Sequence, residues 1–240
     1  KEEICDFVNK GDDDASNFIS EVNIISRLDH PTILKFIGFS LLNFKKQRKP
    51  AIITEFYKQG SLENILELEE KSIAKSDWNN TKKLIIIYGI ASEMLYLHQH
   101  DILHLDLKAS NILIDANFYP KLSDFGMSKY LKEEDVIKLE NKTIFRGTPT
   151  HASPEIWEKS ENTKASDVFA FSLTVFEIMT NDKPFKNIKG LFNIMQAVSI
   201  FCKRHQFVYP IPKRCRKLIE DCWSDKPEKR PSFDQMTTKI

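Results

Sequence analysis

Three short polar segments in the middle of this 240-residue chain constrain its fold more than any other feature. They occupy residues 104–111 (HLDLKASN), 124–126 (DFG) and 147–155 (GTPTHASPE). An apolar helical pattern precedes the first segment, and two short β-like runs around a turn separate it from the second. Each segment alone is a weak signal. An Asp-x-Lys-x-x-Asn spacing between a helix and a β run, followed by the other two in this order, is specific.

The order and spacing of these segments resemble those of the protein kinase family. The sequence IITEFYKQGSL at residues 52–62 is similar to the kinase hinge, and Asp167-Val168-Phe169 resembles the start of the buried helix of the large lobe. The C-terminal residues Cys222-Trp223, Arg230-Pro231 and Phe233 resemble the signature of the tyrosine and tyrosine-kinase-like groups, whereas Asp106-Leu107-Lys108 has the serine/threonine form. The mixture indicates the tyrosine-kinase-like group, with serine/threonine specificity.

The element order predicts an α+β protein, in which a small strand-bearing part precedes a large helical part. Apolar spacing predicts a first helix over 15–28, ended by His30-Pro31, and β runs over 33–40 and 51–56. The resemblance implies a two-lobed kinase fold with an incomplete small β lobe. We expect residues 1–57 to form part of the small lobe and 58–240 to form the large, mainly helical lobe.

The resemblance also implies a chemistry, which is the transfer of the γ-phosphoryl group of ATP to Ser/Thr hydroxyls of protein substrates. Asp106 would orient the acceptor hydroxyl and take its proton, and Lys108 would stabilise the γ-phosphoryl group. Asn111 and Asp124 would hold Mg²⁺ through hard oxygen ligands.

The expected nucleotide site follows by alignment to the hinge and the catalytic loop. Thr54 would be the gatekeeper behind the adenine pocket, the main-chain groups of Glu55 and Tyr57 would face the adenine edge, and Leu113 would be the apolar floor. Glu21 is, by position, the glutamate that pairs with the β-strand lysine. Lys1 is the candidate for that lysine, and its alternative is an arbitrary end of the sequence.

Other residues are expected to hold the site in place. Phe125 would be a buried switch residue and Gly126 a hinge with unusual dihedral angles. Thr148 would bond to Asp106 and Lys108, and Asp167 would anchor the catalytic-loop backbone. The resemblance also implies a buried, structural ion pair between Glu155 and Arg230. The side chains of Ile25, Phe36, His104 and Phe125 could stack as one apolar column that links the two lobes.

Two departures from the family pattern keep a second hypothesis open, a pseudokinase-like or truncated non-catalytic interaction module. No Gly-x-Gly-x-x-Gly can be drawn from the seven glycines, and we expect that loop to lie upstream of Lys1 in an N-terminally truncated domain. Leu105 stands where most of these kinases have an arginine that receives an activation-segment phosphate. Of the candidate phosphosites Thr143, Ser128 and Tyr130, none therefore keeps its usual cationic partner.

Composition limits the other possibilities. The 35 basic residues nearly balance the 34 acidic ones, so there is no basic field to predict nucleic-acid binding. No segment is apolar enough over about 20 residues to predict a membrane span. Four cysteines without a CxxC pair fit free thiols in a reducing compartment, so we expect a cytoplasmic location.

Overall fold

A computed structural model describes residues 13–42, 45–47, 49–131, 137–138, 147–208 and 210–238. In chain order its helices and strands are α1 (Asp13–Ile25), β1 (Phe36–Ser40), β2 (Ala51–Thr54), α2 (Leu62–Glu70), α3 (Asn80–Gln99), β3 (Ile102–Leu103), β4 (Ile112–Ile114), β5 (Pro120–Leu122), β6 (Lys129–Tyr130), β7 (Ile137–Lys138), α4 (Pro154–Lys159), β8 (Glu161–Asn162), α5 (Lys164–Thr180), α6 (Leu191–Met195), a π-helical turn (Gln196–Ile200), α7 (Lys213–Cys222) and α8 (Phe233–Thr237).

The small part consists of α1 and the antiparallel pair β1–β2. Helix α1 ends at Ile25, three residues before the predicted end, because the amide of Arg27 reaches back only to the Ile24 carbonyl and tightens the last turn. Strand β1 begins at Phe36, because the residues before it pair elsewhere. The Leu34 amide donates to the Leu122 carbonyl, so this stretch is bound to β5 of the large part.

The large part is built around two buried helices. Helix α5 has no exposed face over most of its length, since every residue from Ser166 to Ile178 is buried. It starts in a capping box formed by Thr163 and Ser166. Helix α3 packs against α5, α8 and β5, and its N-cap is Asn79. The apolar helical pattern expected before residue 104 corresponds to α3.

The fold brings the polar segments to the junction of the two parts. Residues 104–111 connect β3 to β4, β4 pairs antiparallel with β5, and the Asp-Phe-Gly segment follows β5 after Ser123. The small sheet portion and the mostly helical remainder confirm the α+β class. The division at residues 57 and 58 stays a prediction. Within the described ranges, no helix is long and apolar enough to cross a membrane.

Candidate active site

The carboxylate of Asp106 lies at the centre of a compact hydrogen-bond network. Its Oδ1 accepts from the Thr148 hydroxyl at 2.6 Å, and its Oδ2 accepts from Asn111 Nδ2 at 2.9 Å. Lys108 Nζ lies 2.8 Å from Oδ2. Burial opposes ionisation of Asp106, but hydrogen bonds from Lys108 and Thr148 outweigh it and hold the pKa of this carboxyl below its ordinary value. The group is therefore an ionised acceptor at neutral pH.

Lys108 and Thr148 are 40 residues apart, and the structure joins them directly. Lys108 Nζ donates to Thr148 Oγ1 at 2.7 Å, while the same hydroxyl donates to Asp106. About a quarter of the Lys108 side chain is exposed, so its ammonium group borders the solvent side of the network. A cavity of about 420 Å³ opens beside this pair.

Asn111 and Asp124 flank the β4–β5 pair, since Asn111 directly precedes β4 and Asp124 comes two residues after β5. The Asn111 amide nitrogen donates both to the Asp106 carbonyl at 2.8 Å and to its carboxylate. The Asn111 amide oxygen takes no part in these hydrogen bonds. Asp124 is exposed, and among the described residues its Oδ1 accepts a hydrogen bond only from the Gly126 amide, at 3.4 Å. An amide oxygen and an exposed carboxylate are a donor set that fits Mg²⁺.

Glu21 of α1 faces the Asp-Phe-Gly segment. Burial, and then the charge of Asp124, raise the pKa of Glu21, while a hydrogen bond from the Phe125 amide lowers it. A Cβ atom at Gly126 would lie 3.3 Å from Asp124 Oδ1 and 3.4 Å from Glu21 Oε2, so the two acids converge there. Two neighbouring acids favour a cation between them. Lys1, the expected cation, lies outside the described residues.

Asp167, at the start of α5, holds the backbone of the catalytic loop. Its Oδ2 accepts from the His104 amide at 3.0 Å, and its Oδ1 accepts from the Leu105 amide at 2.9 Å. The backbone of Leu105 has φ +66° and that of Asp124 has φ +62°, a region that non-glycine residues enter at a cost. The hydrogen bond from the Leu105 amide to the Asp167 side chain offsets the cost at Leu105.

Phe125, the expected switch residue, is fully buried against His104. The two rings meet nearly edge to face, with centroids 5.4 Å apart. The His104 Nε2 atom lies 3.2 Å from the Ser123 carbonyl, and burial lowers the pKa of this histidine. A neutral, hydrogen-bonded ring inside the core is placed for packing and not for proton transfer. Ile25 is also buried in this core, and Phe36 packs against it.

The hinge residues lie between β2 and α2. The Glu55 amide donates to the Lys35 carbonyl at 3.0 Å, and the Tyr57 carbonyl accepts from Gly60 at 3.1 Å. The predicted adenine contacts therefore fall to the Glu55 carbonyl and the Tyr57 amide. Thr54 ends β2 and is partly buried.

Leu113 lies on the opposite face of its strand from its neighbours. It is partly exposed, whereas Ile112 and Ile114 are buried. This alternation directs Leu113 toward the hinge side, where it also bridges to Ser61.

Glu155 and Arg230 form a buried bidentate ion pair, with N–O distances of 2.7 and 2.9 Å. Arg230 also donates to the carbonyls of Ala165 and Ser224, at 2.8 and 2.9 Å. The pair ties the segment that carries Thr148 to α5 and to the C-terminal part of the chain. Burial opposes ionisation of Glu155, but the hydrogen bonds from Arg230 outweigh it and lower its pKa.

The sequence analysis gave no role to several residues that the structure places at the site. His98 Nε2 lies 3.0 Å from Asp167 Oδ2, and the Ser166 hydroxyl donates to Glu155 at 3.0 Å. His151 Nε2 faces Glu177 Oε2 at 3.7 Å, and neither atom has a hydrogen-bond partner among the described residues. Only Ser166 had a sequence signal, the Thr-x-x-Ser capping pattern, since the other contacts join distant segments.

The comparisons with known proteins place this geometry in context. The family described as "Protein tyrosine and serine/threonine kinase" matches residues 7–240. The chain is 32% identical over 220 residues to the serine/threonine-protein kinase CTR1 of Arabidopsis thaliana, which covers 91% of this chain and 25% of that protein. It is 31% identical over 226 residues to a probable serine/threonine-protein kinase of Dictyostelium discoideum, covering 93% of this chain and 13% of that protein.

A third relative is the dual specificity protein kinase shkB of Dictyostelium discoideum, 30% identical over 225 residues, which cover 92% of this chain and 33% of that protein. The chain thus spans a third or less of the length of these three relatives. The expected resemblance, including its tyrosine-kinase-like character, is confirmed.

Proposed function

Because the chain belongs to the protein tyrosine and serine/threonine kinase family, we propose that it transfers the γ-phosphoryl group of ATP to Ser and Thr hydroxyls of protein substrates. One observation carries this proposal above the others. Asp106 is an ionised carboxylate held by Lys108, Thr148 and Asn111, and two of these partners, Lys108 and Thr148, line an open cavity. Such a carboxylate can orient an acceptor hydroxyl and accept its proton.

Each residue of the network has a distinct task in this reaction. Asp106 takes the proton of the acceptor hydroxyl, and Lys108 stabilises negative charge on the transferred group. Thr148 fixes the distance between these two side chains, since its hydroxyl bonds to both. Catalysis then depends on positioning and on charge stabilisation, which are the main demands of phosphoryl transfer.

The metal and the nucleotide would use the other side of the site. Asn111 and Asp124 would hold Mg²⁺, which neutralises phosphate charge when bound. Glu21 would orient the strand lysine, for which Lys1 is the candidate. The Glu55 carbonyl and the Tyr57 amide would meet the adenine edge.

Several features support serine and threonine as acceptors and a reducing location. The Asp106-Leu107-Lys108 loop has the serine/threonine form, and two relatives carry that activity in their names. The described cysteines Cys202, Cys215 and Cys222 are free thiols, which supports a cytoplasmic setting.

The test is phosphate transfer by the full-length protein and by its Asp106→Asn variant, with labelled ATP, Mg²⁺ and a generic Ser/Thr protein substrate. Loss of the general base is expected to lower kcat by about 10²–10⁴-fold. Asp234→Asn, an exposed change in α8, is the matched control and should leave the rate unchanged. Phosphoamino-acid analysis then identifies the acceptor.

The same experiment separates the two hypotheses. Equal transfer by wild type and Asp106→Asn contradicts the role of Asp106. A wild-type protein that binds ATP but transfers no phosphate supports the non-catalytic module instead.

A further inference from the structure

Glu93 is a fully buried acid that the proposed reaction does not use. It lies in α3 at 0% exposure, on the part of the helix surface that also buries Ile90 and Leu97. Burying a carboxyl group costs stability unless hydrogen bonds compensate for the loss of water. Among the described residues, the Oε2 atom of Glu93 has no hydrogen-bond partner. A buried acid that is only partly satisfied calls for an explanation.

The carboxyl group of Glu93 bridges two segments of the chain. Its Oε1 atom accepts from the Leu122 amide of β5 at 3.2 Å, and the Thr32 side chain is hydrogen-bonded to the same carboxyl group. Burial raises the pKa of Glu93 well above its ordinary value, and these hydrogen bonds oppose the rise only in part. Burial thus favours the neutral acid, whose hydrogen-bonding groups glutamine can replace.

Neither partner depends on Glu93 for its own hydrogen bond. The Leu122 amide also donates to the Thr32 carbonyl at 2.9 Å, which is shorter than its bond to Glu93. The Thr32 hydroxyl lies 2.7 Å from His30 Nδ1. An apolar side chain at position 93 would therefore leave no buried donor unpaired, which is the costly outcome of removing a polar group. Stability alone does not explain an acid at this position.

One side of the bridge leads to Asp124. Only Ser123 separates Leu122 from Asp124, so the position of β5 determines where the Asp124 carboxylate lies. The backbone of Asp124 has φ +62°, a conformation that persists only where the surrounding structure holds it. The contact from Glu93 to Leu122 is part of that support.

The other side of the bridge leads to α1, which carries Glu21. Thr32 lies in the connection 26–35 between α1 and β1. This connection is bound to β5, since the Leu34 amide donates to the Leu122 carbonyl at 3.0 Å. The two acids that converge near Gly126 are thus attached to the two segments that the bridge joins.

We propose that Glu93 is a positioning residue that holds Asp124 and Glu21 in place for Mg²⁺ and the nucleotide. Its carboxyl group would fasten both β5 and the connection 26–35 to α3, so that the two acids keep one separation. Glu93 is fully buried, and it acts only through these neighbours. The inference rests on the proposed function, because that function makes Asp124 a Mg²⁺ ligand.

The test compares Glu93→Leu with Glu93→Gln in the full-length protein. Leucine removes the hydrogen-bonding groups, whereas glutamine keeps them. Glu93→Leu should melt at or above the wild-type temperature, since it removes a partly satisfied buried acid. Its Leu34 amide should nevertheless exchange hydrogen at least about 10-fold faster, because the connection 26–35 opens more easily without the bridge. Glu93→Gln should match the wild type in both measurements.

Nucleotide binding gives a second readout. The affinity for Mg²⁺·ATP, measured by isothermal titration, should fall about 10-fold in Glu93→Leu, because small displacements of positioned groups are costly. The KM for a protein substrate should not change, since the bridge does not contact Lys108 or Thr148. Thr174→Val is the matched control: it is a buried polar-to-apolar change whose hydroxyl donates within α5, to the Ala170 carbonyl at 3.0 Å. It should alter neither readout.

Thr32→Val tests the bridge from its other side, at a half-buried position outside α3. It removes the hydroxyl that Glu93 contacts, so it should also speed the exchange of the Leu34 amide. If both residues act through one contact, the double variant Glu93→Leu, Thr32→Val should exchange little faster than Glu93→Leu alone.

Three results would overturn the proposal. They are unchanged exchange of the Leu34 amide in Glu93→Leu, a Glu93→Gln variant as impaired as Glu93→Leu, and a Glu93→Leu variant that is less stable than the wild type, which would make Glu93 a structural residue. A wild type that transfers no phosphate would refute the proposed function instead, and the exchange measurement would still decide the role of Glu93.

Discussion

Replacing Arg230 by methionine is the sharpest stability test that the structure offers. Arg230 is fully buried as a side chain and makes four hydrogen bonds, two of them to Glu155. Methionine fills much of the same space but leaves the Glu155 carboxylate buried, with Ser166 as its remaining side-chain donor from this network. An uncompensated buried charge costs about 3–5 kcal/mol. For a chain of this length that corresponds to a fall in Tm of roughly 6–20 °C.

The stability lost in Arg230→Met should depend on pH, and the direction of this dependence follows from the pKa of Glu155. In the wild type the folded pKa of Glu155 is below the ordinary value of 4.5. The stabilisation is thus present above pH 4.5 and is lost as the pH falls through the lower folded pKa. In Arg230→Met, burial without the cation raises the folded pKa above 4.5. The variant therefore loses stability as the pH rises, and the difference from wild type should be larger at pH 7 than at pH 5.

Urea denaturation at the two pH values measures both effects. Arg216→Met is the matched control, because Arg216 pairs with Glu220 on the surface of α7, with side-chain exposures of 57% and 45%. Its cost should be about 0.5 kcal/mol or less. Adding Glu155→Gln to Arg230→Met removes the orphaned charge and should recover part of the loss. A cost under about 1 kcal/mol for Arg230→Met, or one that is equal at pH 5 and pH 7, would refute the reasoning.

Three further predictions concern the site and its surroundings. Thr148→Ala should lower kcat by about 10–100-fold, since two hydrogen bonds to charged groups are lost. Thr148→Ser keeps the hydroxyl and should stay near wild type in steady-state kinetics. Equal effects of the two changes would contradict the role of the Thr148 hydroxyl as a bridge between Asp106 and Lys108. Burial lowers the pKa of His205 to about 4, and its neutral Nε2 accepts from the Phe185 amide. The contribution of neutral His205 to stability is therefore present above about pH 6.5 and lost as the pH falls toward 4. Allowing for partial exposure, this contribution is about 1–2 kcal/mol. His205→Gln should flatten that part of the pH–stability curve, and an unchanged curve would exclude His205 as the cause of the pH dependence. Thr143 lies outside the described residues; with Leu105 in place of a phosphate-binding arginine, Thr143→Ala should keep kinase activity, and a large loss would contradict this.

The residues expected to carry the chemistry are easier to predict from the sequence than the residues that hold them in place. Asp106, Lys108 and Asn111 lie within six residues, so any turn of suitable shape brings them together. Thr148 and Asp167 are far along the chain, and only the family resemblance pointed to their places. Their contacts depend on how α5 packs against the catalytic loop, which no local pattern encodes.

The contacts that local sequence patterns did not predict have a similar physical origin. The pattern of residues 33–40 predicted one β run, but pairing of Leu34 with Leu122 takes its first residues into the large part. No local pattern pointed to His151, yet its ring faces Glu177 in the cavity that Lys108 and Thr148 also line. Both contacts join segments that are distant in sequence, and tertiary packing overrides local preference in such cases.

The described contacts also bear on how the catalytic loop keeps its shape without the usual arginine. The Leu105 amide donates to Asp167, and the His104 carbonyl accepts from the Ser128 hydroxyl at 3.2 Å. The loop is therefore held from α5 on one side and from the segment after Asp-Phe-Gly on the other. Since Ser128 is buried and already bonded, it is a structural support and a poor phosphosite. We therefore expect that a loop held in this way orients Asp106 without an activation-segment phosphate, which is the outcome that Thr143→Ala tests.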